Sequence, residues 1–155
     1  MPPARQTQDA WNAACRWLGY SARTESEIRK RLKQAGYDEA VEEEVIRRLR
    51  EYRYLDDRRL AEALVEELKR KGIVGRAVLR QRLRRRGIET ALADEIITEA
   101  LKGVNELDEA LVLAGKRLKT MAGLDQPVIK RRLAGYLSRR GFSAETVYRV
   151  LEKIV

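Results

Sequence analysis

Apolar residues recur along the chain at a spacing typical of helices. Pairs of apolar residues four positions apart are found in each third of the sequence: Ile28 and Leu32, Val41 and Val45, Leu79 and Leu83, Leu133 and Leu137. This spacing places both side chains of a pair on one face of a helix. Strand-like alternation is missing over any useful length, and glycines and prolines fall at the ends of the periodic segments. The pattern therefore predicts an all-α protein.

A short glycine motif occurs three times. A leucine, three further residues, a glycine and an apolar residue follow one another at Leu32–Tyr37, Leu83–Ile88 and Leu137–Phe142. We expect each glycine to end a helix in a left-handed conformation, with the apolar residue packing back and another helix beginning after it. Self-similarity of this kind indicates a repeat architecture.

The motif divides the chain into three tandem repeats of three helices each, similar to helix-turn-helix units. The repeats are predicted at residues 1–53, 54–103 and 104–155. Their helices are predicted at about 9–19, 25–35, 39–52, 57–71, 76–86, 90–102, 106–121, 127–140 and 144–154. Because a single triplet buries little apolar surface alone, we expect stacked triplets in an elongated, curved molecule with flexible joints near 53–55 and 103–105.

Polar residues suited to helix capping precede several of these segments. Thr24 and Glu27 have the spacing of a capping box, and Asp38, Asp125 and Ser143 stand before other helices. The pair Asp56–Asp57 could suggest a metal site. Adjacent side chains at a helix start diverge, however, and a capping role explains the pair better.

The chain contains no histidine, which removes the most common general base and metal ligand. Cys15 is the only cysteine, and with no base in sight it is expected to be a small buried apolar residue. We therefore expect no enzyme activity, no bound metal and no cofactor. We find neither a leader segment nor a run of about 18 apolar residues in the sequence. We therefore expect a cytoplasmic protein that does not enter membranes.

The formal net charge is +9, from 33 lysines and arginines against 24 acidic residues. Nine cations occur without an intervening acid in one segment: Lys69, Arg70, Lys71, Arg76, Arg80, Arg82, Arg84, Arg85 and Arg86. Five occur in another: Lys130, Arg131, Arg132, Arg139 and Arg140. A lesser cluster, tempered by nearby acids, is formed by Arg29, Lys30, Arg31 and Lys33. All three clusters are predicted to lie on the middle helix of a repeat.

These basic clusters favour a polyanionic partner. Arg76, Arg80 and Arg84 lie four residues apart with no acid near them in sequence, so they repel one another unless a partner binds. An exposed, arginine-rich helix without a partner is the alternative. Most aromatic residues are expected to pack in the core, and Tyr136 is the best candidate for stacking on a base. Any contact with single- or double-stranded DNA is expected to be weak, dominated by phosphates and indifferent to sequence.

Several segments resemble the RecX family. Tyr54–Ala61, Lys71–Gly72 and Leu79–Ile88 are similar to the central block of that family. Thr24–Leu32 resembles its first repeat and Arg139–Phe142 its third, so the resemblance covers nearly the whole chain.

The resemblance implies a regulator that binds RecA in the groove of its filament. It further implies inhibition of strand exchange, of DNA-dependent ATP hydrolysis and of co-protease activity. A monomer is the default expectation. One departure is Leu60, where the family often has phenylalanine. Two alternatives remain at this point: a stand-alone helix-turn-helix DNA-binding protein or transcriptional regulator, and a helical scaffold for an acidic protein.

Overall fold

The computed structural model describes residues 4–155, and within that range the chain forms only helices and connecting turns. Nine α-helices, with a short 3-10 helix η1 after the seventh, follow in this order: α1 Ala4–Tyr20, α2 Glu25–Gln34, α3 Glu39–Glu51, α4 Asp57–Arg70, α5 Arg76–Arg85, α6 Thr90–Ala100, α7 Glu106–Leu118, η1 Lys119–Met121, α8 Gln126–Arg139 and α9 Ala144–Ile154. The prediction of an all-α fold built of helix triplets is confirmed. Residues 1–3, which belong to the first predicted repeat and to the segment read as lacking a leader, lie outside the described residues.

Two helices differ from their predicted bounds by more than two residues. Helix α1 begins at Ala4 rather than near residue 9, because its first turn is polar and carries no apolar periodicity that the sequence pattern could show. The helix predicted to run to residue 121 ends at Leu118, and Lys119–Met121 continue it as a tighter 3-10 turn. That turn brings Met121 into a buried position.

The repeated glycine motif is a helix-ending hydrogen-bond motif. In its first copy the N–H of Tyr37 donates to the carbonyl of Leu32 over 3.1 Å, and Gly36 N–H donates to Lys33 over 3.0 Å. Gly36 has a φ of 89°, a left-handed conformation that glycine adopts without a steric penalty. The second and third copies repeat both bonds, with φ values of 81° at Gly87 and 92° at Gly141. The leucine that opens each copy is fully buried.

The predicted caps are mostly confirmed. Thr24 and Glu27 form a reciprocal capping box, and Asp38 and Ser143 accept hydrogen bonds from the first turns of α3 and α9. Asp125 does precede α8, but its side chain makes no capping hydrogen bond, so that detail of the prediction is wrong.

The chain divides into two compact units. Unit 1 takes in the chain up to Ala63 together with Leu83–Ala93, and unit 2 takes in Leu64–Arg82 together with Asp94–Val155. Each unit holds one terminal triplet and part of the middle one. The predicted repeat boundaries, the joints and the curvature stay predictions. No helix in residues 4–155 is long and apolar enough to cross a membrane.

Each unit has its own apolar core. A buried cluster in unit 1 consists of Ala10, Ala14, Ile28, Leu32, Val41, Val45, Ile46, Leu49 and Leu55. A buried cluster in unit 2 consists of Val74, Ala110, Ala114, Met121, Leu133, Leu137, Phe142, Val147 and Val150. The four apolar pairs that the sequence pattern used are all fully buried.

Replacing the motif glycines by alanine is expected to cost different amounts of stability. A Cβ at Gly87 would lie 2.4 Å from the Cβ of Ser26, and one at Gly141 would lie 2.5 Å from Cγ2 of Val78, whereas one at Gly36 would meet nothing within 4 Å. Gly36→Ala carries only the left-handed backbone penalty of about 1–2 kcal/mol. Gly87→Ala and Gly141→Ala add the strain of overpacking, on the order of 1–3 kcal/mol more. Urea unfolding checks this ranking, and equal losses in all three variants would contradict it.

Candidate nucleic-acid interface

A cleft in unit 1 gathers cations from two of the predicted basic clusters. Its lining consists of Arg23, Ser26, Glu27, Lys30, Arg31, Gln34, Arg84, Arg85, Arg86 and Gly87. We call it the basic cleft. It combines six cations with one carboxylate, so its lining has a formal charge of +5. The sequence predicted five of these cations, and the structure brings them to one place.

Buried hydrogen bonds fix the two sides of the basic cleft. The Thr24 hydroxyl, fully buried, donates to the backbone carbonyl of Arg86 over 2.5 Å, although the two residues are 62 positions apart. Gly87 lies against Ser26 so closely that no side chain fits there. The helix end after α5 is therefore held directly against the N-terminal turn of α2.

The carboxylate in the basic cleft is neutralised by its neighbours. Burial by itself raises the pKa of Glu27, but hydrogen bonds from Thr24 and from the Arg86 guanidinium outweigh burial and lower that pKa below its usual range. The Arg86 side chain lies 3.0 Å from the Glu27 carboxylate and also donates to the carbonyl of Ala22. Arg86 was predicted as a ligand-binding cation. In the structure its side chain instead connects the two sides of the cleft through this ion pair and this hydrogen bond.

The Glu27–Arg86 ion pair is expected to make stability depend on pH. Because the folded-state pKa of Glu27 lies below its ordinary value of 4.5, the ionised carboxylate stabilises the fold above pH 4.5. That stabilisation is lost as the pH falls from 4.5 through the folded-state pKa. Glu27→Gln is thus expected to lower the free energy of unfolding by about 1 kcal/mol near neutral pH, with the deficit shrinking below pH 4.

Urea unfolding at several pH values measures this difference. Glu66→Gln is the matched control, because Glu66 is an exposed carboxylate that pairs with Lys69 at 3.4 Å. Exposed pairs contribute little, so the control is expected to follow the wild type within about 0.5 kcal/mol. A Glu27→Gln deficit that stays constant down to pH 3 would show that the charge of Glu27 is not involved.

Arg84, Arg85 and Lys30 are the cations left open to a ligand. All three side chains are exposed, and none forms an ion pair within residues 4–155. Arg31 lies over the ring of Trp17, with 5.4 Å from its guanidinium carbon to the ring centroid. The sequence analysis missed Arg23, whose Nε is buried and has no hydrogen-bond partner in the described part of the chain. Arg23 has neutral neighbours in the sequence, so the search for runs of cations did not reveal it.

Arg29 differs from the other cations of the first cluster. It bonds to Glu25 over 3.0 Å, to Glu42 over 3.1 Å and to Glu43 over 2.5 Å. Each of these bonds raises the pKa of the Arg29 guanidinium, and the bond that it donates to Glu43 raises that pKa most. Arg29 therefore ties α2 to α3, while Lys33 remains exposed without an ion pair among the described residues.

Unit 2 holds the first part of the long cationic segment, and here one premise of the sequence analysis is wrong. Arg80 does have an acidic partner, since its Nε lies 2.8 Å from Oδ1 of Asp94 on α6. Arg76 donates to the hydroxyl of Thr98 over 3.0 Å, and Arg82 is exposed. Asp94 follows Arg80 by fourteen residues and reaches it from α6.

Three further cations of that segment do not lie on the middle helix. Lys69 and Arg70 end α4 and Lys71 follows it, so the prediction that the whole cluster lies on α5 is wrong. Lys69 and Lys71 each pair with a glutamate one turn back, at 3.4 and 3.1 Å, whereas Arg70 is exposed.

The third cluster lies on α8 and in the turn after it. Lys130, Arg131, Arg132 and Arg139 are exposed, and none forms an ion pair within residues 4–155. Arg140 instead donates to the carbonyl of Lys71 within unit 2. Tyr136 is partly buried, with the guanidinium carbons of Arg140 and Arg117 at 5.1 and 5.4 Å from its ring centroid. Its stacking role stays a prediction, but its ring already has two cationic neighbours.

The carboxylate pair before α4 is accounted for by capping. Asp56 accepts the N–H of Arg59 over 3.1 Å, which caps α4, and Asp57 accepts the N–H of Glu25 over 3.0 Å at the start of α2. Burial raises the pKa of Asp57 despite that bond. In residues 4–155 no group of three potential ligands is placed to hold a metal ion. Burial also raises the pKa of the half-buried Cys15 thiol, which favours its protonated form.

The fold and the basic cleft define a class: proteins made of tandem three-helix domains with a cationic surface. Three family models match the chain in succession, and together they cover most of it. They describe the first, second and third three-helix domains of RecX and match residues 10–49, 56–101 and 105–151, respectively. The chain belongs to the RecX family.

Similar proteins carry a regulatory name. The chain is 32% identical over 157 residues to the regulatory protein RecX of Trichlorobacter lovleyi, an alignment that covers 99% of this chain and 100% of that one. It is 35% identical over 147 residues to the regulatory protein RecX of Bacillus velezensis, covering 93% of this chain but only 54% of that longer relative.

The fold also matches a solved structure. The crystal structure of RecX from Lactobacillus salivarius superimposes with a TM-score of 0.79 over 98% of each chain, at 21% identity. At that identity the likeness concerns the fold, and it supports the arrangement of helix triplets described above.

Proposed function

We propose that this chain is a non-catalytic, cytoplasmic regulator of a RecA-type recombinase, acting as a monomer. It binds the RecA–DNA filament in its groove and restrains strand exchange, ATP hydrolysis and co-protease activity. Family membership supports the choice of partner. The basic cleft is the observation that carries the proposal, because it concentrates exposed cations with a single, neutralised carboxylate in one part of the molecule.

The chemistry of the basic cleft suits a phosphate backbone. Guanidinium groups present a planar fork of donors that matches phosphate oxygens. Arg84, Arg85 and Lys30 form no ion pair within residues 4–155, so they can make such contacts without first breaking one. Contacts of this type carry no sequence information and weaken as salt rises, because binding releases counterions from the DNA.

The proposal is tested by adding the protein to RecA from the same organism on single-stranded DNA. ATP hydrolysis and strand exchange are expected to fall as the protein approaches a stoichiometric amount. Unchanged rates, together with no association with the filament, would contradict the proposal.

A stand-alone sequence-specific DNA-binding protein is the second candidate. Its support is the exposed, arginine-rich middle helix α5, which resembles a recognition helix. Apart from its arginines, that helix offers only Gln81 for hydrogen bonds to base edges. A sequence-specific regulator prefers its own site by about 10³-fold or more over random duplex. We expect no such preference in a selection from random duplexes.

A further inference from the structure

Three aromatic rings of unit 1 form a cluster outside the basic cleft. Trp11 lies on α1, and Tyr52 and Tyr54 follow the end of α3. The ring centroids of Tyr52 and Tyr54 are 5.6 Å apart at 21°, those of Trp11 and Tyr54 are 6.1 Å apart at 29°, and those of Trp11 and Tyr52 are 5.7 Å apart at 50°. We call these three residues the aromatic cluster.

The two tyrosines of the aromatic cluster lie at the surface and not in the apolar core of unit 1. Tyr52 and Tyr54 expose 58% and 54% of their surface, although the sequence analysis expected most aromatic residues to pack inside. Side chains of this size are usually buried, and contiguous exposed ones mark interaction sites. The two tyrosine rings thus present stacked, solvent-facing surfaces.

The charge around the aromatic cluster is positive. The guanidinium carbon of Arg48 lies 4.4 Å from the Trp11 ring centroid, and Arg53 separates the two tyrosines in the chain. Neither arginine forms an ion pair within the described residues. The carboxylates of Glu44 and Glu51 are on the same helix, but Arg47 binds both of them.

We propose that the aromatic cluster binds unpaired nucleobases of a single-stranded nucleic acid. The rings of Tyr52 and Tyr54 supply faces on which bases stack, and Arg48 and Arg53 meet the adjoining phosphates. Bases inside a duplex are already stacked and cannot use such a platform. This inference rests on the proposed function. The basic cleft is proposed to contact phosphates, and the aromatic cluster adds a second DNA-binding element that contacts bases.

The test compares two strands that differ only in their bases. A 15-nucleotide oligothymidylate and an abasic strand of the same length carry the same phosphates. In a Trp17→Phe background Trp11 is the only tryptophan, so its emission reports on the aromatic cluster alone. The variants are Tyr52→Ala/Tyr54→Ala, Tyr52→Phe/Tyr54→Phe, which keeps both rings, and Tyr148→Ala, which removes an exposed tyrosine of unit 2.

Wild-type protein is expected to bind oligothymidylate at least about tenfold more tightly than the abasic strand, since stacking contributes roughly 1–3 kcal/mol per base. Oligothymidylate, but not duplex DNA, is expected to quench Trp11 emission. Tyr52→Ala/Tyr54→Ala should bind both strands at the abasic level, whereas the phenylalanine pair and Tyr148→Ala should keep the preference.

Equal affinity of wild-type protein for the intact and abasic strands would overturn the inference while leaving the proposed function in place. So would a tyrosine-to-alanine pair that keeps the full preference for bases. If that pair weakens association with the filament but leaves the base preference unchanged, the aromatic cluster is a protein contact and the inference is wrong. If wild-type protein binds neither strand, both the inference and the proposed direct contact with DNA are wrong.

Discussion

Reversing two charges in the basic cleft, Arg84→Glu/Arg85→Glu, is expected to weaken binding to single-stranded DNA by roughly 30- to 150-fold at low salt, or about 2–3 kcal/mol. Both side chains are exposed and have no ion pair in residues 4–155, so the loss reflects the missing ligand contacts rather than a damaged fold. The alanine pair at the same positions should reduce the salt dependence of binding by about one unit of slope per residue. Fluorescence anisotropy over a range of salt concentrations measures both effects.

A matched control separates the location of the charge from its total. Arg149→Glu/Lys153→Glu changes two exposed cations of α9, outside all three predicted clusters. Each double variant lowers the formal net charge by four, from +9 to +5. We expect the control to bind DNA within about threefold of the wild type, because α9 carries none of the cations that line the basic cleft. Equal weakening by the two pairs would mean that only total charge matters.

The second large effect is expected in the core of unit 1. Leu32 is fully buried and follows Lys30 and Arg31 of the basic cleft on α2, and its carbonyl accepts the hydrogen bond that ends the helix. Leu32→Ala leaves a cavity and is expected to lower the free energy of unfolding by about 2–5 kcal/mol. Such a loss is a large part of the 5–15 kcal/mol typical of whole domains. Urea unfolding followed by far-UV circular dichroism measures it.

Val112→Ala provides the comparison for that variant. Val112 is also apolar, but 56% of its surface is exposed on α7. Its truncation removes little buried area and is expected to change stability by less than about 0.5 kcal/mol. A Leu32→Ala variant as stable as Val112→Ala would show that α2 is not anchored through this residue.

The fold could largely be predicted because its signals are local. Apolar pairs such as Leu133 and Leu137 report a helix face within four residues, and the Leu32–Tyr37 motif reports a helix end within six. The hydrogen bonds of that motif connect residues close in sequence, so its three copies correctly marked three helix ends. Polar first turns carry no such signal, which is why the start of α1 was placed too late.

The candidate site was only partly predictable because it depends on contacts distant in sequence. Local charge runs identified Arg84 and Arg85, but nothing local shows that Arg86 turns away to bind Glu27, 59 residues earlier. The partner of Arg80 is similarly hidden, since Asp94 lies fourteen residues later in the sequence, on α6. Residue type distinguishes a cation from an acid, whereas tertiary packing decides which cations stay free.

Aromatic residues illustrate the same limit. Composition favours burial of a tyrosine, yet Tyr52 and Tyr54 are exposed. They lie on either side of Arg53, which adopts a left-handed conformation with a φ of 57° after the end of α3. Arginine is an uncommon residue for that conformation, so the sequence alone did not reveal the turn.

Co-sedimentation with RecA filaments preformed on single-stranded DNA is the most direct measurement of the proposed role. Wild-type protein is expected to pellet with the filament, Arg149→Glu/Lys153→Glu to pellet equally well, and Arg84→Glu/Arg85→Glu to remain largely in the supernatant. Wild-type protein that stays in the supernatant would contradict a role at the filament. An Arg84→Glu/Arg85→Glu variant that pellets like the wild type would contradict the assignment of that role to the basic cleft.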